Sequence, residues 1–162
     1  MPPLIDITTD GHIHTRLCNH AEGEMEAYVE NAVQRGLATI IFLEHLEAGI
    51  QYPSRSWLER EEFDYYFQEG MRLKELYRGT IDVRLGVEAG YNRAVASTLQ
   101  EKLAQYSWDR IGLSCHFHCQ DGVHLNLLSR NQESLKRLAA IGINQIVTEY
   151  FNALIEAIEI ID

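Results

Sequence analysis

Residues 39 to 45, TIIFLEH, hold the plainest structural signal in the chain. Thr39 to Leu43 is an unbroken run of β-branched and apolar side chains. A strand with one wet face alternates apolar and polar residues. An unbroken run marks a strand covered on both faces, as in a parallel sheet packed against helices. The run then gives way to Glu44-His45, a carboxylate and an imidazole that a packed strand has no apolar reason to carry.

Working outward, the same grammar repeats. Upstream, Leu4 to Thr9 alternates and predicts a strand ending at Asp10-Gly11. Met25, Tyr28, Val29, Ala32 and Val33 then follow the helical period, with Gly36 as a stop signal. Downstream, a helix from about Glu59 to Tyr77 places Phe63, Tyr66, Phe67, Leu73 and Leu76 inward. Ile81 to Val87 predicts a third strand, Asn92 to Gln105 a helix, and Arg110 to Ser114 a fourth strand. Two helices follow, near Asn131 to Ala140 and Asn144 to Ile158, the second with a stripe of Val147, Tyr150, Phe151, Leu154 and Ile158. Strict alternation of strand and helix argues for an α/β fold with a parallel sheet. Repeats, low-complexity tracts and linkers are absent, so residues 1–162 are expected to form a single domain.

Composition narrows the function classes. Fourteen Lys and Arg against 24 Asp and Glu give a formal charge of −10, which disfavours nucleic acid and anionic lipid as partners. Cys18, Cys115 and Cys119 are an odd number without a C-x-x-C pair. No apolar run nears the ~18 residues of a membrane span, and no signal-peptide pattern opens the chain. The expectation is a soluble, cytoplasmic protein with no membrane partner.

The seven histidines carry the chemistry. In sheets of this kind functional groups gather at the carboxyl ends of strands. His12 and His14 follow the first strand, His45 follows TIIFLE, Glu88 follows IDVRLGV, and His116 follows RIGLSC. Singly, each has a bland explanation: a surface H-x-H pair, a satisfied buried histidine, an ordinary strand-end carboxylate. His20 alone would be a loop histidine. Four successive strands ending in metal-competent residues argue jointly for a metal centre. In an extended segment residues i and i+2 face the same way, so His12 and His14 present two imidazoles to one point. Imidazole and carboxylate together suit Zn²⁺, Mn²⁺ or Fe²⁺ better than Ca²⁺ or Mg²⁺. The rival C115-H-F-H-C119 is a poor zinc knuckle, because four ligands within five residues cannot easily wrap one tetrahedral ion. Cys115 reads instead as a buried strand residue and Cys18 as a small apolar loop residue, while His118 and His124 line the mouth of the site or lie in solvent.

D10-G-H-I-H14, C18-x-H20-A21, E44-H45, G86-V-E88-x-x-Y91 and S114-C-H116-F117 together resemble the PHP (polymerase and histidinol phosphatase) family, in its histidinol-phosphatase branch. The resemblance runs from about Ile5 to the end and includes Tyr150-Phe-Asn-Ala-Leu. It implies a distorted, TIM-like β/α barrel, seven-stranded in the family, of which this chain supplies about four β/α units. It further implies up to three divalent metal ions and hydrolysis of L-histidinol phosphate to L-histidinol and phosphate in histidine biosynthesis. Carried over by position, His12, His14 and Glu88 hold one metal, Glu88 bridges to a second that His116 binds, and His20 and His45 bind the third. Glu88 and His116 are thereby the expected catalytic residues. Two departures stand out. Leu43 occupies a position where the family has Thr or Ser. No histidine follows His124, so the family's later His and Asp-x-His ligands are missing. On this reading the domain stops short at its C-terminus, each metal site is one protein ligand short, and fewer than three tightly held metals are expected.

Such residues suit phosphate monoester hydrolysis. Metals neutralise the phosphate oxygens, and a metal-bridged hydroxide forms near neutral pH as the nucleophile. A bridging position suits a carboxylate, hence Glu88, and neutral imidazoles leave the ions' charge available to substrate. Arg16 continues the i, i+2 series and, with His118, is a candidate for binding the small phosphorylated substrate, although a solvated arginine is the simpler reading. Two alternatives remain open. One is a PHP phosphoesterase on nucleotides or nucleic-acid ends, and the other is a truncated, metal-binding half-barrel without turnover. A half-barrel also leaves an open sheet edge, through which two copies would pair as a homo-oligomer.

Overall fold

The computed structural model describes residues 6–161, and within them the chain forms two compact units. The first takes in the chain through Leu46, Arg55–Glu88 and Trp108–Gly112; the second takes in Glu47–Ser54, Ala89–Ser107 and the chain from Leu113 onward.

The first unit is built on the predicted sheet. Strands β1 (Thr9–Ile13), β2 (Thr39–Glu47), β3 (Asp82–Gly90) and β4 (Arg110–Ser114) lie side by side in the order β1-β2-β3-β4, with β1 parallel to β2. Helices α1 (Met25–Gln34) and α2 (Arg60–Leu76) make the first two crossovers. Ile40 to Leu43 on β2, Val83, Leu85 and Val87 on β3, Met25, Val29 and Ala32 of α1, and Phe63, Tyr66 and Leu73 of α2 are all buried. The α2 start is set by a capping box, in which Glu59 and Glu62 satisfy each other's backbone N–H groups. Arg55 holds Glu62 in place with two guanidinium hydrogen bonds. Deeper in the same helix, the fully buried Tyr66 hydroxyl donates toward Phe42 O (3.2 Å) and Gly86 O (2.9 Å), tying α2 to β2 and β3. On the sheet itself, the Arg110 guanidinium on edge strand β4 donates to Gly11 O on the opposite edge strand, β1, at 3.0 Å.

Strand boundaries differ from the sequence expectation, and β1 ends at Ile13 rather than near Asp10-Gly11. The first strand begins at Thr9 rather than near Leu4. Asp6 accepts from Thr8 N (2.8 Å), Thr8 Oγ1 (2.7 Å) and Thr9 Oγ1 (2.5 Å), which winds the segment into a bend, while Leu4 and Ile5 lie outside the described residues. β2 runs on to Glu47 and β3 to Gly90. His12, Glu44, His45 and Glu88 are therefore strand residues rather than residues following strands. Leu76, expected inward, is exposed because α2 ends there.

The second unit holds α3 (Ala96–Leu103), a hairpin of β5 (Phe117–Gln120) and β6 (Val123–Asn126), α4 (Gln132–Ile141) and α5 (Ile143–Ile161). No hairpin was expected. Its two-residue loop, Asp121-Gly122, has φ of 51° and 77°, the positive values that an Asp-Gly hairpin turn supplies at low cost. Asn131 caps α4 by accepting from Glu133 N (2.9 Å) and Ser134 N (3.2 Å). On α5 only Ile146 and Ala157 are buried, and the expected stripe residues Val147, Phe151 and Ile158 are exposed, along with Ile143 and Ile155. Among the described residues no single helix is long and apolar enough to cross a membrane. The α4–α5 pair is, by length and composition, but it is bent by 86°.

Tyr66→Phe is expected to lower stability by about 1–2 kcal/mol, since two carbonyls lose a buried donor while the ring packing is kept. Urea unfolding of the two proteins checks this, and equal midpoints would contradict it.

Candidate metal centre

The centre of the first unit's site is a triangle of three side-chain atoms. His12 Nε2 lies 3.0 Å from His14 Nε2 and 3.0 Å from Glu88 Oε2, and His14 Nε2 lies 3.2 Å from the same oxygen. Local backbone makes this triangle. The β1–β2 register slips between Asp10 and Ile13, so β1 carries one extra residue where His12 sits. Bulges of this kind re-aim a side chain beside a functional site. Two imidazole nitrogens and a carboxylate oxygen at these separations match neighbouring ligands around one ion with bonds of about 2.0–2.2 Å. The donor set therefore fits a divalent metal of the zinc class.

Around the triangle lie two further histidines. His45 Nδ1 is 3.3 Å from Glu88 Oε2, and its ring stacks on His14 with centroids 4.4 Å apart and planes 20° apart. His20 joins from the loop, its centroid 5.0 Å from His14 and 4.8 Å from His45. Five of the sequence-predicted residues, His12, His14, His20, His45 and Glu88, are thus gathered in one unit. Solvent reaches them unevenly: the His12 side chain is 50% exposed, those of His14, His45 and Glu88 only 18%, 11% and 12%.

Beneath them is a buried carboxylate. Glu44 is fully buried, and its Oε1 accepts from Thr15 N (2.8 Å) and Thr15 Oγ1 (2.6 Å). Burial pushes the Glu44 carboxyl up, with the Thr15 hydrogen bonds pulling against it. Its other oxygen, Oε2, faces His14 Nδ1 at 3.9 Å, and both atoms are buried without a hydrogen bond. A carboxylate behind the ring's second nitrogen is the usual support of a metal-bound imidazole. Cys18 also lies near His14 and His20, but burial and Glu44 push its thiol up to about 12, and its S–H donates to Thr15 O at 3.1 Å. It is a thiol, as a packed loop residue should be.

The remaining expected residues have partners of their own. His116, two residues past the end of β4 and in the second unit, has Nδ1 2.7 Å from Glu47 Oε1 and Nε2 2.8 Å from Ser114 Oγ. Arg16 is half exposed and paired with Glu24. His118 Nδ1 lies 3.2 Å from Glu149 Oε2, and with His124, Cys119 and Tyr150 it lines a cavity of about 300 Å³ inside the second unit. Sequence reasoning passed over Thr15 and Glu47 and used Glu44 only as a motif letter. The signal was available: a Glu within an apolar strand must find a donor, because a buried unpaired carboxylate is prohibitively costly.

Thr15→Val removes one of two donors to a fully buried carboxylate and is expected to cost about 1–3 kcal/mol, with Thr15→Ser close to wild type. Chemical denaturation of both variants checks the ordering.

A family profile described as PHP domain matches residues 10–159. A curated histidinol-phosphatase of Bacillus subtilis is 29% identical over 159 residues, covering 92% of this chain and 59% of that protein. The chain spans between 37% and 59% of the lengths of the curated relatives it matches. Among solved structures, a candidate histidinol phosphatase from Listeria monocytogenes superposes with a TM-score of 0.69 at 21% identity, over 78% of this chain and 51% of that one. The histidinol phosphate phosphatase of Lactococcus lactis, complexed with zinc, L-histidinol and phosphate, gives 0.64 at 20%, over 90% and 55%.

Proposed function

The chain belongs to the PHP domain family, and on that premise we propose that it is a metal-dependent phosphomonoesterase of the histidinol-phosphatase type, acting on L-histidinol phosphate in histidine biosynthesis. The observation that carries the reading is the triangle of His12 Nε2, His14 Nε2 and Glu88 Oε2, with separations of 3.0–3.2 Å. The curated relatives named histidinol-phosphatase support the substrate class.

On this reading His12, His14 and Glu88 hold one divalent ion, and His20 with His45 and His116 supply further ligand positions. A bound ion of the zinc, manganese or iron(II) class supplies positive charge for phosphate oxygens and acidifies a water toward neutral pH. The chain's own part is to hold and orient. Neutral imidazoles add no negative charge to compete with the substrate. Glu88 brings one carboxylate oxygen within 3.0–3.3 Å of nitrogens from three histidines and would share an ion with them. The Thr15–Glu44 pair fixes the floor under His14. Because His12 is the exposed member, a phosphorylated substrate approaches over it. A charge of −10 argues for a small substrate over nucleic acid, and three free cysteines suit a cytoplasmic setting.

The test is to strip the protein with chelator, reload it with Zn²⁺ or Mn²⁺, and measure bound metal and phosphate release from L-histidinol phosphate and from a nucleoside monophosphate. Metal-dependent release favouring L-histidinol phosphate is expected. Glu88→Ala and His12→Ala should lower metal affinity at least ~10–100-fold, the typical cost of losing even an outer partner. His118→Ala should lose less than Glu88→Ala or His116→Ala, and the reverse order would contradict these roles.

A further inference from the structure

The second unit contains a buried carboxylate that no ligand scheme uses. Glu47, the last residue of β2, is 4% exposed, yet no lysine or arginine side chain is paired with its carboxylate among the described residues. Its Oε1 instead meets His116 Nδ1 at 2.7 Å. The arrangement around it is built to fit. A Cβ on Gly90 would lie 2.1 Å from both Glu47 carboxylate oxygens, so only glycine leaves them room. Lys102 Nζ donates to the Glu47 carbonyl at 3.1 Å and pins the backbone there.

The protons can be placed from these contacts. A proton on Nδ1 donates to Glu47, at a charge-assisted distance, and leaves the Nε2 lone pair to accept from the Ser114 hydroxyl at 2.8 Å. The opposite neutral tautomer would press a bare Nδ1 lone pair against a carboxylate oxygen at 2.7 Å, two acceptors with no proton between them. We propose that Glu47 is a positioning residue that fixes His116 in the Nδ1–H tautomer, leaving Nε2 as the ligating atom, with the Ser114 hydroxyl holding that lone pair until a metal takes it. This rests on the reading of His116 as a metal ligand. It extends to β2 as a whole, since Glu44 stands behind His14 Nδ1 in the same sense, at the longer distance of 3.9 Å. One strand thus supplies two buried carboxylates, each facing the Nδ1 of a histidine.

The experiment uses the full chain in metal-free and Zn²⁺- or Co²⁺-titrated form, as wild type, Glu47→Gln, Glu47→Ala and His116→Ala. Nitrogen-15 imidazole spectra of the metal-free protein report the tautomer, and equilibrium titration reports ions bound and their affinities. Wild type is expected as Nδ1–H. In Glu47→Ala the ring should shift toward Nε2–H and one ion should bind ~10–100-fold more weakly. Glu47→Gln, which keeps the volume and an acceptor, should fall between and serves as the comparison if the alanine variant does not fold. His116→Ala should lose the same ion. An Nε2–H ring in wild type overturns the proposal, as does unchanged tautomer and affinity in the Glu47 variants while His116→Ala loses an ion. An unchanged ion count in His116→Ala instead sinks the ligand reading itself. The tautomer then tells separately whether Glu47 orients the ring.

Discussion

One carboxylate oxygen, Glu88 Oε2, lies within 3.0–3.3 Å of nitrogens from three histidines, His12, His14 and His45. These rings come from β1, β2 and the turn after β1, so the contact exists only because β1, β2 and β3 are neighbours in this order. An oxygen so surrounded needs N–H donors from the imidazoles or a cation among them. Much of the surrounding structure serves that requirement. The β1 bulge turns His12 in, Tyr66 ties α2 to β2 and β3, and Thr15 anchors Glu44 beneath His14.

The same physics explains why β2 is unusual. A strand buried along its whole length should be apolar, yet β2 ends in Glu44-His45-Leu46-Glu47 with all four buried. Isolated, each charge would oppose folding. Here each carboxylate has a designated donor or imidazole: Thr15 and His14 for Glu44, His116 for Glu47. Local apolar preference is surrendered where the strand carries carboxylates that face histidines, a pattern expected at functional sites rather than in plain packing.

That surrender also sets what the sequence could reveal. The α/β alternation and the histidine positions were legible, because TIIFL has little reading other than a covered strand and imidazoles rarely cluster without cause. Strand ends were not. Glu44, His45 and Glu88 look like the residues after a strand, while their backbones stay in the sheet because partners elsewhere satisfy them. The late start of β1 was hidden because Asp6 captures three donors in a local bend. The β5–β6 hairpin was missed because FHCQ and VHLN alternate too weakly to announce strands. Asp121-Gly122 did signal the turn, and its weight was overlooked. Glu47 gave no motif at all, and only the distance to His116 shows what it faces.

On the proposed function these side chains form a metal site and not merely a cluster of satisfied polar groups. Anomalous diffraction from crystals of the zinc-loaded protein, collected at the zinc absorption edge, tests it most directly. The prediction is a strong peak about 2.0–2.2 Å from His12 Nε2, His14 Nε2 and Glu88 Oε2 together. Peaks found only at surface carboxylates or at the His118–Glu149 pair, with none at that triangle, would contradict it.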